Sequence, residues 1–226
     1  MPFNIDLHTH TGRYSYCSRL TPDMLCQTAI SRGLDALAIT EHQCQWRPDE
    51  LAVLQEKYPQ IKLYAGIEIS CTDGHDYVVL GLPVGLVDGQ QVSIQDLHAM
   101  LDDHPQAFSF IAHCFRYSTL DDGLADLQVD GIEVGSHNLV LWPPPAYGPV
   151  PILNGDLYRH WQQRMGWIPL CNSDGHSRHM LGGFYNRLET LELAASETEL
   201  AILLKSARMC CVQDDDMIRN AVQEGW

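Results

Sequence analysis

Histidines, aspartates and glutamates follow one apolar segment after another along this chain. The first segment ends Asp6-Leu7-His8-Thr9-His10, and two histidines one residue apart directly after an apolar run are typical of a metal site. Later segments carry the same residue types near their ends, namely Glu41, His42, Glu68, His75, His113, Glu133, His137, Asp174 and His176. So many ionisable groups in one place cost free energy unless a cation compensates them, so the pattern predicts a metal centre.

Most of the other histidines have an ordinary explanation. His98, His104 and His160 fall in predicted helices and His179 in a loop, where we expect surface residues. A single buried histidine at a strand end is also more often a hydrogen-bonded structural residue than a ligand. The recurrence of these residue types at seven segment ends is what favours metal binding.

The apolar segments are predicted to be β-strands. They are short, rich in isoleucine, valine and leucine, and several lack alternation, which is typical of parallel strands covered on both faces. The predicted strands are residues 3–7, 34–40, 62–70, 77–82, 108–113, 131–135 and 167–172. Helices are predicted between them, at residues 22–32, 48–58, 93–104, 119–127, 155–165 and 196–209. The first of these has Thr21 as its N-cap and Gly33 as its stop.

Strands that alternate with helices predict an α/β fold, built either as a closed barrel or as an open doubly wound sheet. In a barrel the carboxyl ends of all strands face one mouth, whereas the first and last strands of an open sheet lie far apart. Convergence of the polar strand ends therefore favours a barrel. The chain has no internal repeat and no linker, so we expect a single domain over residues 1–226.

Composition limits the expected cellular compartment and the expected classes of partner. No apolar run approaches the ~20 residues that cross a bilayer and the first residues do not resemble a signal peptide, so we expect a cytoplasmic protein with no membrane partner. The formal net charge is −15, from 29 acidic and 14 basic residues, which argues against a long nucleic acid as partner. The eight scattered cysteines are expected to be reduced thiols.

The ordered motifs DLHTHT, TEH, GIEIS, AHCFR and NSDGHS resemble the polymerase-and-histidinol-phosphatase (PHP) family of metal-dependent phosphoesterases. The resemblance covers the chain from Asp6 to about Gly183. It implies a distorted seven-stranded TIM-like βα barrel with the metal site at the C-terminal mouth of the strands. It also implies two to three divalent metal ions, of zinc, manganese or iron, and hydrolysis of phosphoester bonds.

Carried over by position, the resemblance implies eight metal ligands divided among three ions. Glu68 bridges the first two ions. The first ion is held by His8, His10, Glu68 and Asp174, the second by Glu68, His75 and His113, and the third by His42 and His176.

The chain departs from the family pattern at three places. The family usually has an aspartate or histidine shortly after the first motif, where this chain has Ser15, Tyr16, Cys17 and Ser18. Cys17 is either a soft metal ligand or an ordinary thiol. Glu41 stands where the family usually has aspartate, and we expect it to partner a ligand. Cys114 stands where a proline is common.

The implied mechanism is in-line attack on phosphorus by a metal-activated hydroxide. Arg116, three residues after His113, is expected to bind a phosphate oxygen through its planar guanidinium, and Arg13 and Arg178 are further candidates. The leaving group receives its proton either from His176 or from a metal-bound water. The long loop over residues 139–151 and the tail after residue 183 are expected to shape the mouth of the barrel.

The sequence thus predicts a metal-dependent phosphoesterase that acts on a small phosphoester, a nucleotide or a short oligonucleotide. Two alternatives stay open. One is an amidohydrolase-like hydrolase on a related barrel, although such enzymes typically bridge their metals through a strand lysine and this chain has only Lys62, at the start of the third strand. The other is a non-catalytic, degenerate barrel that binds metal or nucleotide.

Overall fold

A computed structural model describes residues 2–117, 119 and 123–224. Nine β-strands occur in this part of the chain, and all of them belong to one sheet. They are β1 (Pro2–Thr9), β2 (Ala36–His42), β3 (Lys62–Ser70), β4 (Asp76–Leu80), β5 (Phe108–Ala112), β6 (Gly131–Gly135), β7 (Ile168–Cys171), β8 (Phe184–Glu189) and β9 (Arg208–Gln213). Their order in the sheet is β7-β6-β5-β4-β3-β2-β1-β8-β9.

Six α-helices accompany these strands in the same residues. They are α1 (Pro22–Ser31), α2 (Pro48–Lys57), α3 (Ile94–Asp103), α4 (Gly155–Met165), α5 (Glu197–Ser206) and α6 (Asp215–Glu224). The predicted start of α1 is confirmed, because the Thr21 hydroxyl accepts a hydrogen bond from the backbone N–H of Met24. The predicted helix over residues 119–127 lies partly outside the described residues, and its described part forms the short 3₁₀ turn Leu124–Asp126.

The strands β1 to β7 curl into a nearly closed barrel. Neighbouring strands are parallel except at β4, which is antiparallel to both β3 and β5. At the seam, Thr9 bridges Gly175 and the backbone N–H of His10 donates to the carbonyl oxygen of Gly175 at 3.1 Å. This contact brings the residues that follow β7 beside the carboxyl end of β1.

The sheet has nine strands, so the prediction of seven was wrong. The two additional strands form an antiparallel pair that extends the sheet beyond β1, with β8 paired to Pro2–Ile5 of β1 and β9 paired to β8. The helix α5 lies between them in the chain. The predicted helix over residues 196–209 accordingly ends at Ser206. The pattern of β8 was hard to recognise because its buried positions hold Phe184, Asn186 and Leu188, and the central asparagine interrupts the apolar alternation.

The barrel interior is an apolar core that is closed at one end by α5. Leu200, Ala201 and Leu204 of this helix pack against interior residues such as Ile5 and Tyr64. Outside the barrel, α1 and α2 cover β2 and β3, while α3 and α4 cover strands β4 to β6. Since α5 covers the end where the parallel strands begin, the carboxyl ends of those strands form the opposite end.

Two further observations concern the described residues as a whole. None of their helices has the length and apolar character that crossing a membrane requires. All eight cysteines are free thiols in this structure.

Candidate metal centre

Seven of the eight predicted ligands come together at the carboxyl ends of the strands. Glu68 of β3 lies at the centre of the cluster. Its carboxylate oxygens are 3.3 Å from Nε2 of His8, 3.3 Å from Nε2 of His10, 2.7 Å from Nδ1 of His42 and 3.3 Å from Nε2 of His113. The seven residues are His8, His10, His42, Glu68, His113, Asp174 and His176.

The backbone is irregular where it supplies these ligands. The pairing of β1 with β2 shifts register between Asp6 and Thr9, so that Leu7 packs in the core while the next residue, His8, reaches the cluster. His113 and Asp174 have positive φ angles of 29° and 49°, which non-glycine residues rarely adopt. Strained conformations of this kind concentrate at functional sites, because they aim side chains that regular strands could not.

Asp174 contacts three of the imidazoles that Glu68 contacts. Its Oδ1 is 3.3 Å from Nε2 of His10 and 3.6 Å from Nε2 of His8, and its Oδ2 is 3.7 Å from Nε2 of His113. The amide of Asn138 donates a hydrogen bond to Oδ2. Oδ1, which faces the imidazoles of His8 and His10, makes no hydrogen bond among the described residues.

The spacing and hydrogen bonding of these atoms fit bound divalent cations. Nε2 of His8, Nε2 of His10 and Oδ1 of Asp174 are buried and make no hydrogen bond among the described residues. Two ligands that share a tetrahedral cation at about 2.1 Å lie about 3.4 Å apart, close to the recurring 3.3 Å separations. A charge-assisted hydrogen bond would instead measure about 2.7–2.9 Å, which only the contact between His42 and Glu68, at 2.7 Å, does among the four imidazole contacts of Glu68.

A buried glutamate of β6 orients His8. Oε1 of Glu133 is 3.2 Å from Nδ1 of His8 and accepts a hydrogen bond from Nδ2 of Asn172 at 3.0 Å, while Oε2 accepts one from the backbone N–H of His113. A carboxylate on Nδ1 fixes the tautomer in which Nε2 carries the free lone pair. The ring of His8 therefore presents a ligand atom to the cluster.

His10 is oriented through a serine. The Ser15 hydroxyl donates to Oε2 of Glu41 at 2.6 Å and lies 3.3 Å from Nδ1 of His10. Its single hydrogen is used by Glu41, so it must accept from Nδ1–H of His10, which leaves Nε2 free to bind a cation. The sequence predicted that Glu41 partners a ligand. It did not predict that Ser15 links Glu41 to His10, and its position five residues after His10 was the only sequence feature that pointed to this contact.

The charges in the cluster balance through protons when no cation is bound. Burial opposes charge on His113, yet the carboxylates of Glu68 and Asp174 raise its pKa to about 9. Burial likewise opposes the charged form of Glu68, but His8 and His113 hold its pKa well below the ordinary value. Burial lowers the pKa of His10 to about 4. A divalent cation would supply the positive charge that these protons provide.

His75, the eighth predicted ligand, does not join this cluster. It lies in the turn before β4, where its carbonyl oxygen accepts from the backbone N–H of Cys71, and it lines a separate pocket with His98. The next residue, Asp76, reaches the cluster instead, with Oδ2 3.8 Å from Nδ1 of His113. The sequence missed Asp76 because adjacent residues of an extended chain point in opposite directions and the register was not known.

His137 also lies apart from the ligand groups. It is buried in the turn after β6, with its ring edge-on to that of Phe184 at 5.2 Å between centroids. Burial lowers its pKa to about 4, so it packs as a neutral structural residue.

A cavity of about 450 Å³ opens over the cluster. Its walls include Arg19, Arg116 and Tyr117, and the guanidinium of Arg116 lies 4.7 Å from the Tyr117 ring centre. Arg116, which the sequence predicted to bind a phosphate oxygen, thus lines the cavity, and so does Arg19, which was not predicted. Arg13 instead forms an ion pair with Glu50. Arg178 is not among the cavity residues in the described part of the chain.

The loop over residues 139–151 and the tail after residue 183 do not line this cavity in the described part of the chain, contrary to expectation. The loop is held near α6, because the backbone N–H of Val150 donates to Oδ1 of Asp215. Trp142 and Tyr147 are 62% and 90% exposed, and Tyr185 packs against the core beneath α1. These aromatic residues therefore contribute to loop packing and surface.

The fold and the cluster define a class, the α/β barrels that carry a histidine-and-carboxylate metal centre at the mouth, as metal-dependent hydrolases do. The sequence matches the model of the PHP domain over residues 6–209. The chain therefore belongs to the PHP domain family. No curated protein sequence matches it.

Solved structures show the same fold at low sequence identity. PsfC from Pseudomonas syringae PB-5123 aligns with a TM-score of 0.70 and 18% identity, covering 99% of this chain and 96% of that chain. An amidohydrolase from Chromobacterium violaceum, solved with bound sulfate and no metal, aligns with 0.55 and 19%, covering 76% and 87%. A protein from Bifidobacterium adolescentis, provisionally described as a metal-dependent phosphoesterase, aligns with 0.59 and 15%, covering 98% and 96%.

Proposed function

We propose that this protein is a metal-dependent phosphoesterase that hydrolyses a small phosphoester, a nucleotide or a short oligonucleotide. The observation that carries the proposal is the Glu68 carboxylate, which four imidazoles surround at the base of a cavity with two arginines in its walls. Membership of the PHP domain family supports the same reaction class.

The proposed ligands divide into three overlapping groups. They are His8, His10 and Asp174; His8, Glu68 and His113; and His10, His42 and His176, and within each group the ligand atoms lie within 4.8 Å of one another. Imidazole with carboxylate suits zinc, manganese and iron ions. Such ions, when bound, would lower the pKa of a coordinated water toward about 7 and offset the charge on phosphoryl oxygens.

The arginines of the cavity are proposed to hold the phosphoryl group. The planar guanidinium of Arg116 would bind phosphate oxygens in a bidentate manner, with its face held against Tyr117. Arg19, on another wall, would add a second positive charge. These two arginines matter for substrate binding, because the chain as a whole carries a formal charge of −15, which repels an anionic substrate.

His176 is the candidate for contact with the leaving group. Its Nδ1 lies 2.9 Å from the carbonyl oxygen of Asp174, so Nδ1 carries the proton and Nε2 is the ring atom with a free lone pair. Nε2 therefore has two roles open to it, as a proton carrier for the leaving group or as a metal ligand.

The size and charge of the site limit the substrate. A cavity of about 450 Å³ is in the range of sites that hold one small molecule. The net charge of −15 opposes the binding of a long nucleic acid, because like charges repel. Small phosphoesters and short oligonucleotides avoid that repulsion.

The amidohydrolase alternative has one specific observation against it. Lys62 could bridge two metals only if it reached the mouth of the barrel. Its ammonium instead donates to the carbonyl oxygen of Ala195, at the end of β3 far from Glu68.

A substrate panel tests the proposal. The purified protein, loaded in turn with zinc, manganese or iron, is assayed against p-nitrophenyl phosphate, bis(p-nitrophenyl) phosphate, short oligonucleotides and an amide analogue. We expect turnover of at least one phosphoester that chelation abolishes and metal restores. A metal-loaded protein that cleaves the amide and no phosphoester would refute the proposal.

A further inference from the structure

Cys17 lies at the outer edge of the metal cluster, beside His176. Its Sγ is 3.2 Å from Nε2 of His176, and both residues line the cavity. The loop that carries Cys17 is anchored by hydrogen bonds of the two residues that follow it. The Ser18 hydroxyl donates to the carbonyl oxygen of His10 at 3.0 Å, and the backbone N–H of Arg19 donates to the carbonyl oxygen of His176 at 2.8 Å. These bonds fix the backbone next to Cys17, whose exposed thiol lies against His176.

The tautomer of His176 leaves Nε2 able to bind a cation together with the Cys17 sulfur. Because Nδ1–H donates to the carbonyl oxygen of Asp174, the lone pair of Nε2 points to Cys17. A backbone carbonyl on the other ring nitrogen is how proteins orient histidine ligands of metals. The two atoms are 3.2 Å apart. This separation fits two ligands of one cation: a nitrogen at about 2.05 Å and a sulfur at about 2.3 Å lie about 3.1–3.6 Å apart when the nitrogen–metal–sulfur angle is between 90° and 110°.

A second observation points to a cation at this place. His10, His42 and His176 offer ligand atoms within 4.8 Å of one another. Nε2 of His10 is fully buried and makes no hydrogen bond among the described residues. The ring of His10 lies 4.5 Å from that of His42 and 4.3 Å from that of His176, between centroids. Such close imidazoles are favourable when a cation shares them.

We propose that Cys17, as a thiolate, and His176, through Nε2, jointly ligate a divalent cation at the outer edge of the His10, His42 and His176 group. The proposal rests on the metal centre of the proposed function. Binding releases the thiol proton to solvent. A thiolate makes this position softer than the inner ones, so it selects zinc or cobalt over manganese and magnesium. The assignment also removes His176 from the role of proton carrier.

Cobalt titration of the full-length apoprotein tests the assignment. A thiolate bound to Co²⁺ gives a sulfur-to-cobalt charge-transfer band in the near ultraviolet, which oxygen and nitrogen ligands do not give. We expect this band to appear as the outer site fills in the wild type and to be absent in Cys17→Ser. In that variant the dissociation constant of the outer equivalent should rise at least about tenfold, with the inner equivalents unchanged. Cys210→Ser removes another exposed thiol, on β9, and should keep the band.

Alkylation gives a second readout that does not depend on spectra. Iodoacetamide should modify Cys17 at least about tenfold more slowly with cobalt bound than without it, because a metal-bound thiolate is shielded. Wild-type protein that binds cobalt with no charge-transfer band and no protection of Cys17 would overturn the assignment and leave the proposed function intact. Protein that binds no cobalt, zinc or manganese at all would overturn both.

Discussion

At the scale of single residues, the site depends on side chains that aim the ligands as much as on the ligands. The sequence predicted that His8, His10, Glu68, His113 and Asp174 lie together, because residue type and position near a strand end indicate them, and the structure brings them together. It could not identify Ser15, Asp76 or Arg19 in the same way. Their roles follow from where a turn or a loop folds back, and neighbouring residues of the same type would have fitted the sequence equally well.

Replacing Ser15 tests the orientation of His10. In Ser15→Ala, Nδ1 of His10 loses its acceptor and the ring is no longer tied to Glu41. We expect metal affinity to fall about 10- to 100-fold, the usual effect of losing a partner behind a ligand. Competition with a chromophoric chelator measures the affinity. Ser31→Ala, which removes an exposed hydroxyl at the end of α1, is the matched control. Affinity within twofold of the wild type in Ser15→Ala would contradict the proposed role.

The raised pKa of His113 predicts that metal uptake releases protons. With a pKa of about 9, its imidazole is protonated at pH 7, and a cation binds only the neutral ring. Apparent affinity should therefore rise with pH up to about 9, by about tenfold per unit for each proton displaced. Calorimetry at pH 7 in two buffers of different ionisation enthalpy counts those protons. We expect at least about one per cluster, and equal heats in the two buffers would contradict it.

At the scale of elements, the barrel closes through side-chain amides where a backbone ladder is incomplete. Asn186 of β8 accepts from the backbone N–H of Cys171 at 3.0 Å and donates to its carbonyl oxygen at 2.8 Å. Asn172 accepts from the backbone N–H of Leu7 and donates to Glu133. The seam is thus linked to the residue that orients His8. Strands β1 to β7 were predictable from their apolar runs. Strand β8 was not, because one of its buried positions holds Asn186, which stabilises the seam by hydrogen bonds rather than by apolar packing.

Replacing Asn186 tests this closure. Asn186→Ala leaves the N–H and C=O of Cys171 buried without their partner, at a cost of about 1–3 kcal/mol each. We expect the free energy of unfolding to fall by about 2–5 kcal/mol in urea denaturation. Asn220→Ala, at an exposed position of α6, should change it by less than about 0.5 kcal/mol. If the two variants are equally stable, the seam does not depend on this amide.

At the scale of the whole molecule, the protein carries a large net negative charge although its site is proposed to take an anionic substrate. The formal charge of −15 repels phosphate groups at long range, so binding must rely on the local cations of the cavity. The need for local positive charge could be predicted from the composition alone. That Arg19 and Arg116 supply it could be proposed only from the fold, because a count of charges does not show which basic residues line the cavity.

The charge balance predicts an unusual salt dependence. For a short oligonucleotide, kcat/KM should rise about two- to fivefold between 50 and 200 mM salt, because screening weakens the repulsion between substrate and protein. A basic nucleic-acid-binding protein shows the opposite trend, since salt competes with its phosphate contacts. Steady-state assays at fixed metal concentration measure the effect. A fall in kcat/KM with salt would indicate a basic binding surface and contradict the account.

The central claim is that the cluster around Glu68 binds the metals that make this protein a phosphoesterase. It is tested most directly by titrating apoprotein with zinc or manganese while both bound metal and turnover of a phosphoester are measured in the same sample. Turnover should rise in step with occupancy. Glu68→Gln, verified as folded, should bind less metal and lose at least about 100-fold in turnover. Full turnover in the metal-free protein, or in Glu68→Gln, would contradict the claim.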